Sequence, residues 1–282
     1  MYAASGTAVM ASRDAAYAAD TAPPFAADER RGDGRLGVCA IDLRDGRRLR
    51  HRADERFPLA STFKLPLVLL VLARVDRGEE RLDRTLHIPA GDILRAYSPA
   101  FASLPHGGTL TIAQLCAAAI EHSDNTAANV LLRTVGGPHA VTAYLRGIGD
   151  AVTRLDRTEP ALNAATPGDP RDTTSPAAMA QLLARLVREP LLSPRLKTTL
   201  FGWMRACDTG LARIRAGVPR GWTVGDKTGT TNSGGNDVAI LWPAHGAPIV
   251  LAVYFAEVKA SDTARDAAIA NVARDAVRRL RG

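Results

Sequence analysis

Residues 221–257 read GWTVGDKTGTTNSGGNDVAILWPAHGAPIVLAVYFAE. Within them GWTVGDKTGTT, NDVAILWP and PIVLAVYFAE are strand-like runs separated by Asn/Ser/Gly and Pro/Gly clusters, the pattern of three strands joined by turns. The other strand signal lies at the opposite end of the chain. There RLGVCAIDL (35–43), RDG (44–46) and RRLRHRADERF (47–57) read as strand, Asp-Gly turn and strand. The segment between is helical in pattern. A helix is predicted over 62–77, apolar on nearly all sides and therefore buried, with Pro66 tolerated in or near its first turn. TIAQLCAAAIEH follows Thr111 as a cap, NTAANVLLRTVGGP stops at its Gly-Gly-Pro, and HAVTAYLRGIG stops at Gly149. Further helices are predicted at 176–188, 194–206 and 262–280. Strands at both ends around a helical middle imply one sheet assembled from the two ends. The predicted fold class is α/β: an antiparallel sheet flanked by helices, with an all-helical domain inserted in it. The sheet domain would comprise 20–58 and 208–282 and the helical domain 59–207, with a loop at 154–172. Residues 1–19 are expected to be disordered or the remnant of a leader.

The chain has 282 residues and a net charge of +7, with 46% hydrophobic and 23% charged residues, which is ordinary for a soluble protein. Its arginines are interleaved with acids, as in RLDRTEP and ADERFP, and read as a solvated basic surface rather than a nucleic-acid face. The apolar run at 65–73 is too short for a bilayer, which takes about 20 residues. Neither nucleic acid nor membrane is expected as a partner. Three cysteines make no disulfide framework, and six histidines form no metal-ligand spacing. No metal or cofactor is expected, and His122, near a helix end, reads as structural or exposed. Residues 1–31 are Ala-rich without the apolar segment of a signal peptide. Either the chain is not exported or its signal is not part of this sequence.

The 36 basic residues include only four lysines: Lys64, Lys197, Lys227 and Lys259. One of them stands in LASTFKLPLVLLVLARV (59–75), three residues after Ser61 and at the head of the buried helix. Lysine, unlike arginine, gives up its proton readily when buried. Ser61 at a helix head has an exposed hydroxyl beside backbone N–H groups able to stabilise an oxyanion. Lys64, one turn on, shares its face. A neutral Lys64 can accept the serine proton, and a charged one orients the nucleophile; either way it activates the serine. Three more short pieces accompany this pair: Ser123-Asp124-Asn125, Lys227-Thr228-Gly229, and Glu159-Pro160-Ala161-Leu162-Asn163. The last lies in RLDRTEPALNAATPGDPRDTTSP (154–176), a proline-broken loop of a length that is usually functional or disordered.

Taken together and in this order, these pieces resemble the class A serine β-lactamases, and the resemblance covers the chain from about residue 35. It implies the β-lactamase-like fold and hydrolysis of the lactam amide of penicillins and cephalosporins through a Ser61 acyl-enzyme. Lys64, Ser123, Glu159 and Lys227 would be the other catalytic residues, and the N–H groups of Ser61 and Thr230 the oxyanion hole. Ser123 would relay a proton to the departing nitrogen, Asn125 would hold the substrate's side-chain amide, and Asp124 would be structural. Thr228, Gly229 and Thr230 would line the substrate, Tyr97 the entrance, and Arg213 matches a position where some members carry the arginine that pairs with the substrate carboxylate. Glu159, held with Asn163, would activate the water that releases the acyl group. Arg157 and Asp172 would tie the loop ends, with a cis peptide before Pro160. The base for acylation, Lys64 or Glu159, is open at this point. The family implies a periplasmic or secreted enzyme acting on a small β-lactam. Nothing in the sequence suggests an interface, so a monomer is expected.

The match also departs from the family. Thr231 stands where glycine is frequent, and 231–236 is one residue short. Val68 occupies the position of the partner that Cys116 has in many members, so that disulfide should be absent. Ala60 and Thr231 exclude the disulfide that flanks the site in some carbapenem-hydrolysing members. Pro23-Pro24 interrupts what is normally a longer first helix. A DD-peptidase (penicillin-binding protein), a non-catalytic β-lactam sensor domain and a serine-dependent glutaminase are the competing readings. The glutamate loop argues against all three.

Overall fold

The structure is a computed structural model that describes residues 24–282; the expectations for 1–19, for 20–23 and for Pro23 lie outside them. Its elements begin with α1 (Ala26–Gly32), β1 (Arg35–Asp42), β2 (Arg48–His51) and β3 (Phe57–Pro58). A single 3₁₀ turn (Ala60–Phe63) then leads into α2 (Lys64–Asp76), followed by β4 (Thr85–Pro89), β5 (Gly107–Thr111), α3 (Ile112–Glu121), α4 (Asn125–Val135) and α5 (Pro138–Gly147). After the long loop come β6 (Thr173–Thr174), α6 (Pro176–Arg188), α7 (Pro194–Arg205) and α8 (Ile214–Gly217). The last elements are β7 (Thr223–Thr231), β8 (Gly234–Trp242), β9 (Ile249–Ala256) and α9 (Asp262–Arg281).

Five strands form one antiparallel sheet in the order β2-β1-β9-β8-β7. The two ends of the chain meet where β1 pairs with β9, from Arg35 opposite Ala256 to Asp42 opposite Ile249. This is the α/β architecture expected from the strand signals at both ends. The central strand β9 is buried along its whole length because it is covered on both faces. Ile249, Leu251, Val253 and Phe255 pack with Ile269, Val272 and Leu280 of α9. Val250, Ala252 and Tyr254 join the core built by α2, α3, α4 and α6. A strand covered on both faces must be apolar at every position, which is why it reads as a continuous apolar run.

Local signals set the helix ends. Thr111 and Gln114 form a reciprocal capping box on α3, and the Asp124 carboxylate accepts from the Ala127 N–H to start α4. Gly136, at φ 98°, ends α4 in the left-handed conformation that a glycine adopts without steric cost. In α2 every residue from Lys64 to Ala73 is buried.

Several elements differ from expectation: the segment 59–207, expected to be all-helical, carries the antiparallel β4–β5 ribbon, α8 was not expected, and the first hairpin is cut short. The second hairpin strand, predicted over 47–57, ends at His51, because Arg52 turns into a left-handed conformation (φ 43°) and RADER carries no apolar alternation to keep it on the sheet. The chain instead crosses to pair Phe57 and Pro58 with Thr174 and Thr173. That pairing lays the C-terminal end of the long loop beside Ser61, and the Leu59 N–H donates to the Asp172 carbonyl at 2.8 Å. The shortened 231–236 segment is a two-residue hairpin turn, with Thr231 opposite Gly234. All three cysteines are buried free thiols.

Candidate active site

The 3₁₀ turn carrying Ser61, the head of α2, the α3–α4 junction, the long loop and β7 converge on one cleft of about 650 Å³. Ser61, Tyr97, Ser123, Asn125, Asn163, Thr228, Gly229 and Thr230 line it, as do Asp208 and Thr209, which the sequence reading had not singled out. A second pocket of about 210 Å³ lies behind the loop, between 165–170 and the ends of β7 and β9, and none of these side chains reaches it.

Lys64 is the centre of the arrangement and is wholly buried. Its Nζ lies 2.8 Å from Ser61 Oγ, 2.7 Å from the Ser123 carbonyl and 2.6 Å from Asn125 Oδ1. An ammonium has three hydrogens, and these three contacts use them. The Glu159 carboxylate, with Oε1 3.2 Å from the same nitrogen, is therefore an ion-pair partner without an aligned hydrogen bond. Burial pulls the Lys64 pKa down to about 8, against the Glu159 charge, which raises it, and with the Lys227 charge, which lowers it further.

Ser123 stands in a left-handed conformation (φ 59°), and its hydroxyl accepts from Lys227 Nζ at 2.9 Å, with Lys64 Nζ at 3.4 Å. Lys227, also wholly buried, spends a second hydrogen on the Thr228 carbonyl at 2.8 Å, and burial lowers its pKa too. Asp124 is the structural carboxylate expected, accepting from the Ala127 and Ala100 N–H groups at 2.8 and 2.9 Å. Asn125 is pinned at both ends, since its Nδ2 donates to the Ala96 carbonyl at 2.9 Å. Its N–H holds the Tyr97 carbonyl at 3.0 Å, so Tyr97, itself 57% exposed, is fixed at the rim.

Glu159 is buried and follows the loop's expected geometry, with a cis peptide to Pro160. Asn163 Nδ2 donates to its Oε2 at 2.5 Å. Asn129, on α4, clamps its backbone from both sides: Oδ1 accepts the Glu159 N–H at 3.0 Å and Nδ2 donates to the Glu159 carbonyl at 2.9 Å. The only sequence signal for Asn129 was a polar residue in a mostly apolar helix. At the loop base Arg157 Nε donates to Asp172 Oδ2 at 2.5 Å, while Asp172 Oδ1 accepts the N–H groups of Asp156 and Arg157.

The β7 wall closely approaches the turn that carries Ser61. A Cβ on Gly229 would sit 3.0 Å from both Ala60 Cβ and the Leu59 carbonyl, and 3.1 Å from the Ser61 nitrogen. The absence of a side chain is what brings the Thr230 and Ser61 segments together. Arg213 lies one layer behind this wall, not in the lining of the cleft. It is buried, paired with Asp266 at 2.9 Å, and donates to the Gly229 and Asn236 carbonyls and to Thr230 Oγ1 at 2.9 Å. Thr228 Oγ1 lies 2.5 Å from Thr209 Oγ1, which contacts Cys207 Sγ at 3.3 Å. His122, expected to be structural or exposed, is partly exposed, with Nδ1 2.7 Å from Asp208 Oδ2.

Comparison with known proteins places the chain in a family. The model of the β-lactamase enzyme family matches residues 25–280. The chain is 47% identical over 279 residues to β-lactamase L2 of Stenotrophomonas maltophilia, covering 98% of this chain and 90% of that protein. It is 45% identical over 230 residues to β-lactamase CTX-M-97 of Escherichia coli, covering 81% and 78%. An ancestral class A β-lactamase structure superposes with a TM-score of 0.88 at 53% identity, over 90% of this chain and 98% of that one. With a family match spanning nearly all the described residues, and relatives and structures agreeing along the same span, the chain belongs to the β-lactamase enzyme family, within its class A.

Proposed function

We propose that this protein hydrolyses the lactam amide of penicillins and cephalosporins by way of an acyl-enzyme on Ser61. The single observation that carries the reading is Glu159. A buried carboxylate clamped by Asn129 and Asn163, 3.2 Å from Lys64, stands beside the nucleophile where a deacylating water has to be activated. A penicillin-binding protein or a sensor domain has no need of such a group.

In the acylation step Ser61 Oγ attacks the lactam carbonyl and its proton passes to neutral Lys64. The neutral amine needs only two of its contacts as donor, to the Ser123 carbonyl and Asn125 Oδ1, and its lone pair then faces Ser61. The Ser61 and Thr230 N–H groups hold the oxyanion, each such donor being worth about 10²–10³ in rate. The C–N bond breaks as Ser123, polarised by Lys227, passes its proton to the departing nitrogen and takes in its place the proton that Lys64 received from Ser61, Lys64 Nζ being 3.4 Å away. Glu159 then takes a proton from water, which attacks the ester, and that proton is returned to Ser61 Oγ as its C–O bond breaks, a general-base contribution of about 10²–10⁴.

The substrate carboxylate is received by the hydroxyls of Thr228 and Thr230. Arg213 Nη2 fills an acceptor position of Thr230, so the Thr230 O–H is free to donate into the cleft, and the buried guanidinium adds positive potential behind it. Arg213 thus acts on the carboxylate through Thr230. Asn125 keeps one Nδ2 hydrogen for the substrate's side-chain amide, and Tyr97 flanks the entrance.

The protein works outside the cytoplasm as a monomer. Its buried thiols suit an oxidising compartment: burial pushes Cys39 up to about 11 and raises Cys116 and Cys207, so little thiolate is available for oxidation. The test is intact mass over time with excess benzylpenicillin while lactam absorbance is followed. Many turnovers with no lasting adduct support hydrolysis, and Glu159→Ala should convert the same mixture to a persistent adduct on Ser61. A stoichiometric, lasting adduct on the unaltered protein would replace hydrolysis with a penicillin-binding or sensor role.

A further inference from the structure

The cleft surface is almost free of charge. Among the described residues lining it, Asp208 alone carries a charged side chain, because Lys64, Lys227 and Arg213 are buried behind the walls. An acid at the mouth of a site that receives a carboxylate is unfavourable unless it serves another part of the substrate.

Asp208 is held in place rather than loose. Its Oδ2 lies 2.7 Å from His122 Nδ1, and its N–H donates to the Glu121 carbonyl at 3.1 Å. The next residue, Thr209, lines the cleft and reaches Thr228 Oγ1 at 2.5 Å. Asp208 therefore stands at the Thr228 end of the cleft. Tyr97 lines the same cleft, and the pKa of its hydroxyl is raised by burial and then by the Asp208 charge.

In a cephalosporin the ring carbon bearing the carboxylate is bonded to the carbon bearing the 3-substituent. A carboxylate seated on Thr228 and Thr230 directs that substituent along the wall formed by Thr209 and Asp208. We propose that Asp208 is a specificity-determining residue that favours cephalosporins with a cationic 3-substituent, such as a pyridinium or quaternary ammonium group. The inference rests on the carboxylate seating proposed above. The side chain is 55% exposed, so the effect is modest and screened by salt.

The experiment compares kcat/KM for two cephalosporins with the same acylamino side chain, one with a pyridiniomethyl and one with a neutral acetoxymethyl 3-substituent. The cation-to-neutral ratio is measured in the unaltered protein, Asp208→Asn and Asp208→Lys. Comparing ratios between proteins cancels the intrinsic difference between the two leaving groups. The ratio should fall about fivefold in Asp208→Asn, as expected for one unit charge a few ångström away in a wet cleft, and further in Asp208→Lys. Added salt should lower the ratio of the unaltered protein and leave that of Asp208→Asn where it is. Equal ratios in all three proteins would assign Asp208 only to holding His122 and overturn the proposal. Thr228→Val separates the premises. If it leaves both KM values unchanged, the carboxylate seating fails and the placement of the 3-substituent fails with it. If it raises both while Asp208→Asn leaves the ratio unchanged, only the Asp208 assignment falls.

Discussion

Replacing Glu159 by glutamine removes a charge 3.2 Å from Lys64 Nζ while keeping the size of the side chain. The Glu159 carboxylate is the largest influence holding the Lys64 pKa up, against burial, and the balance lies at about 8. At that value roughly a tenth of Lys64 is neutral near pH 7. The sign is that of a base: the competent neutral form appears as pH rises through the Lys64 pKa. An opposite charge at this range typically shifts a pKa by about 1–3 units. In Glu159→Gln the Lys64 pKa should therefore drop to somewhere between about 5 and about 7, making half or more of it neutral at pH 7. Acylation of the variant by a chromogenic cephalosporin, followed by stopped flow in a single turnover, should then keep its rate at neutral pH or gain up to about tenfold. Its pH limb should move acidward while deacylation all but stops. The reasoning is refuted if acylation itself falls by about 10²-fold or more, since that is the loss expected on removing the general base, and Glu159 rather than Lys64 would be taking the Ser61 proton.

Other consequences follow from the supports of the site. Asn129→Ala removes both hydrogen bonds that clamp the Glu159 backbone and should cost about 1–3 kcal/mol in urea unfolding. It should slow deacylation of a pulse-labelled acyl-enzyme more than it slows acylation; equal effects on both steps would mean that the clamp does not position the carboxylate. Gly229→Ala places a methyl 3.0 Å from Ala60 Cβ and the Leu59 carbonyl. By prising β7 away from the nucleophile turn it should reduce acylation by about 10²–10³, the cost of a lost oxyanion donor, with the circular dichroism spectrum retained. Arg157→Ala takes the guanidinium from Asp172 but leaves its two backbone donors. Stability should fall by about 1–3 kcal/mol by thermal unfolding, with deacylation again the step most affected.

The strand signals at 35–43 and 221–257 were enough to read a sheet built from both chain ends, because burial of β9 on both faces forces an apolar residue at every position. Thr111 as a cap made the start of α3 legible and the Gly-Gly-Pro stop the end of α4, and the apolar pattern bounded α6 and α9 to within a residue. The hairpin's second strand was less legible. Whether RADERF stays on the sheet depends on the competing partner, Thr173–Thr174, more than a hundred residues away. The β4–β5 ribbon and α8 carried no signal that was recognised.

By itself the sequence determined the chemical inventory: a serine with a lysine one helical turn away, a serine–asparagine pair, a glutamate loop and a lysine strand, each a local spacing. Tertiary structure decided what those groups can do to one another. Lys227 reaches Ser123 across 104 positions of sequence, and Asn129 reaches Glu159 from another element. Arg213 turns out to stand behind Thr230 instead of in the cleft, whereas Asp208 is in the cleft's lining. Local spacing is set by the geometry of a helix turn or a strand and is written in consecutive residues. The depth of a charge, and which face of a wall it stands on, comes from packing between distant segments, and no short stretch of sequence contains it.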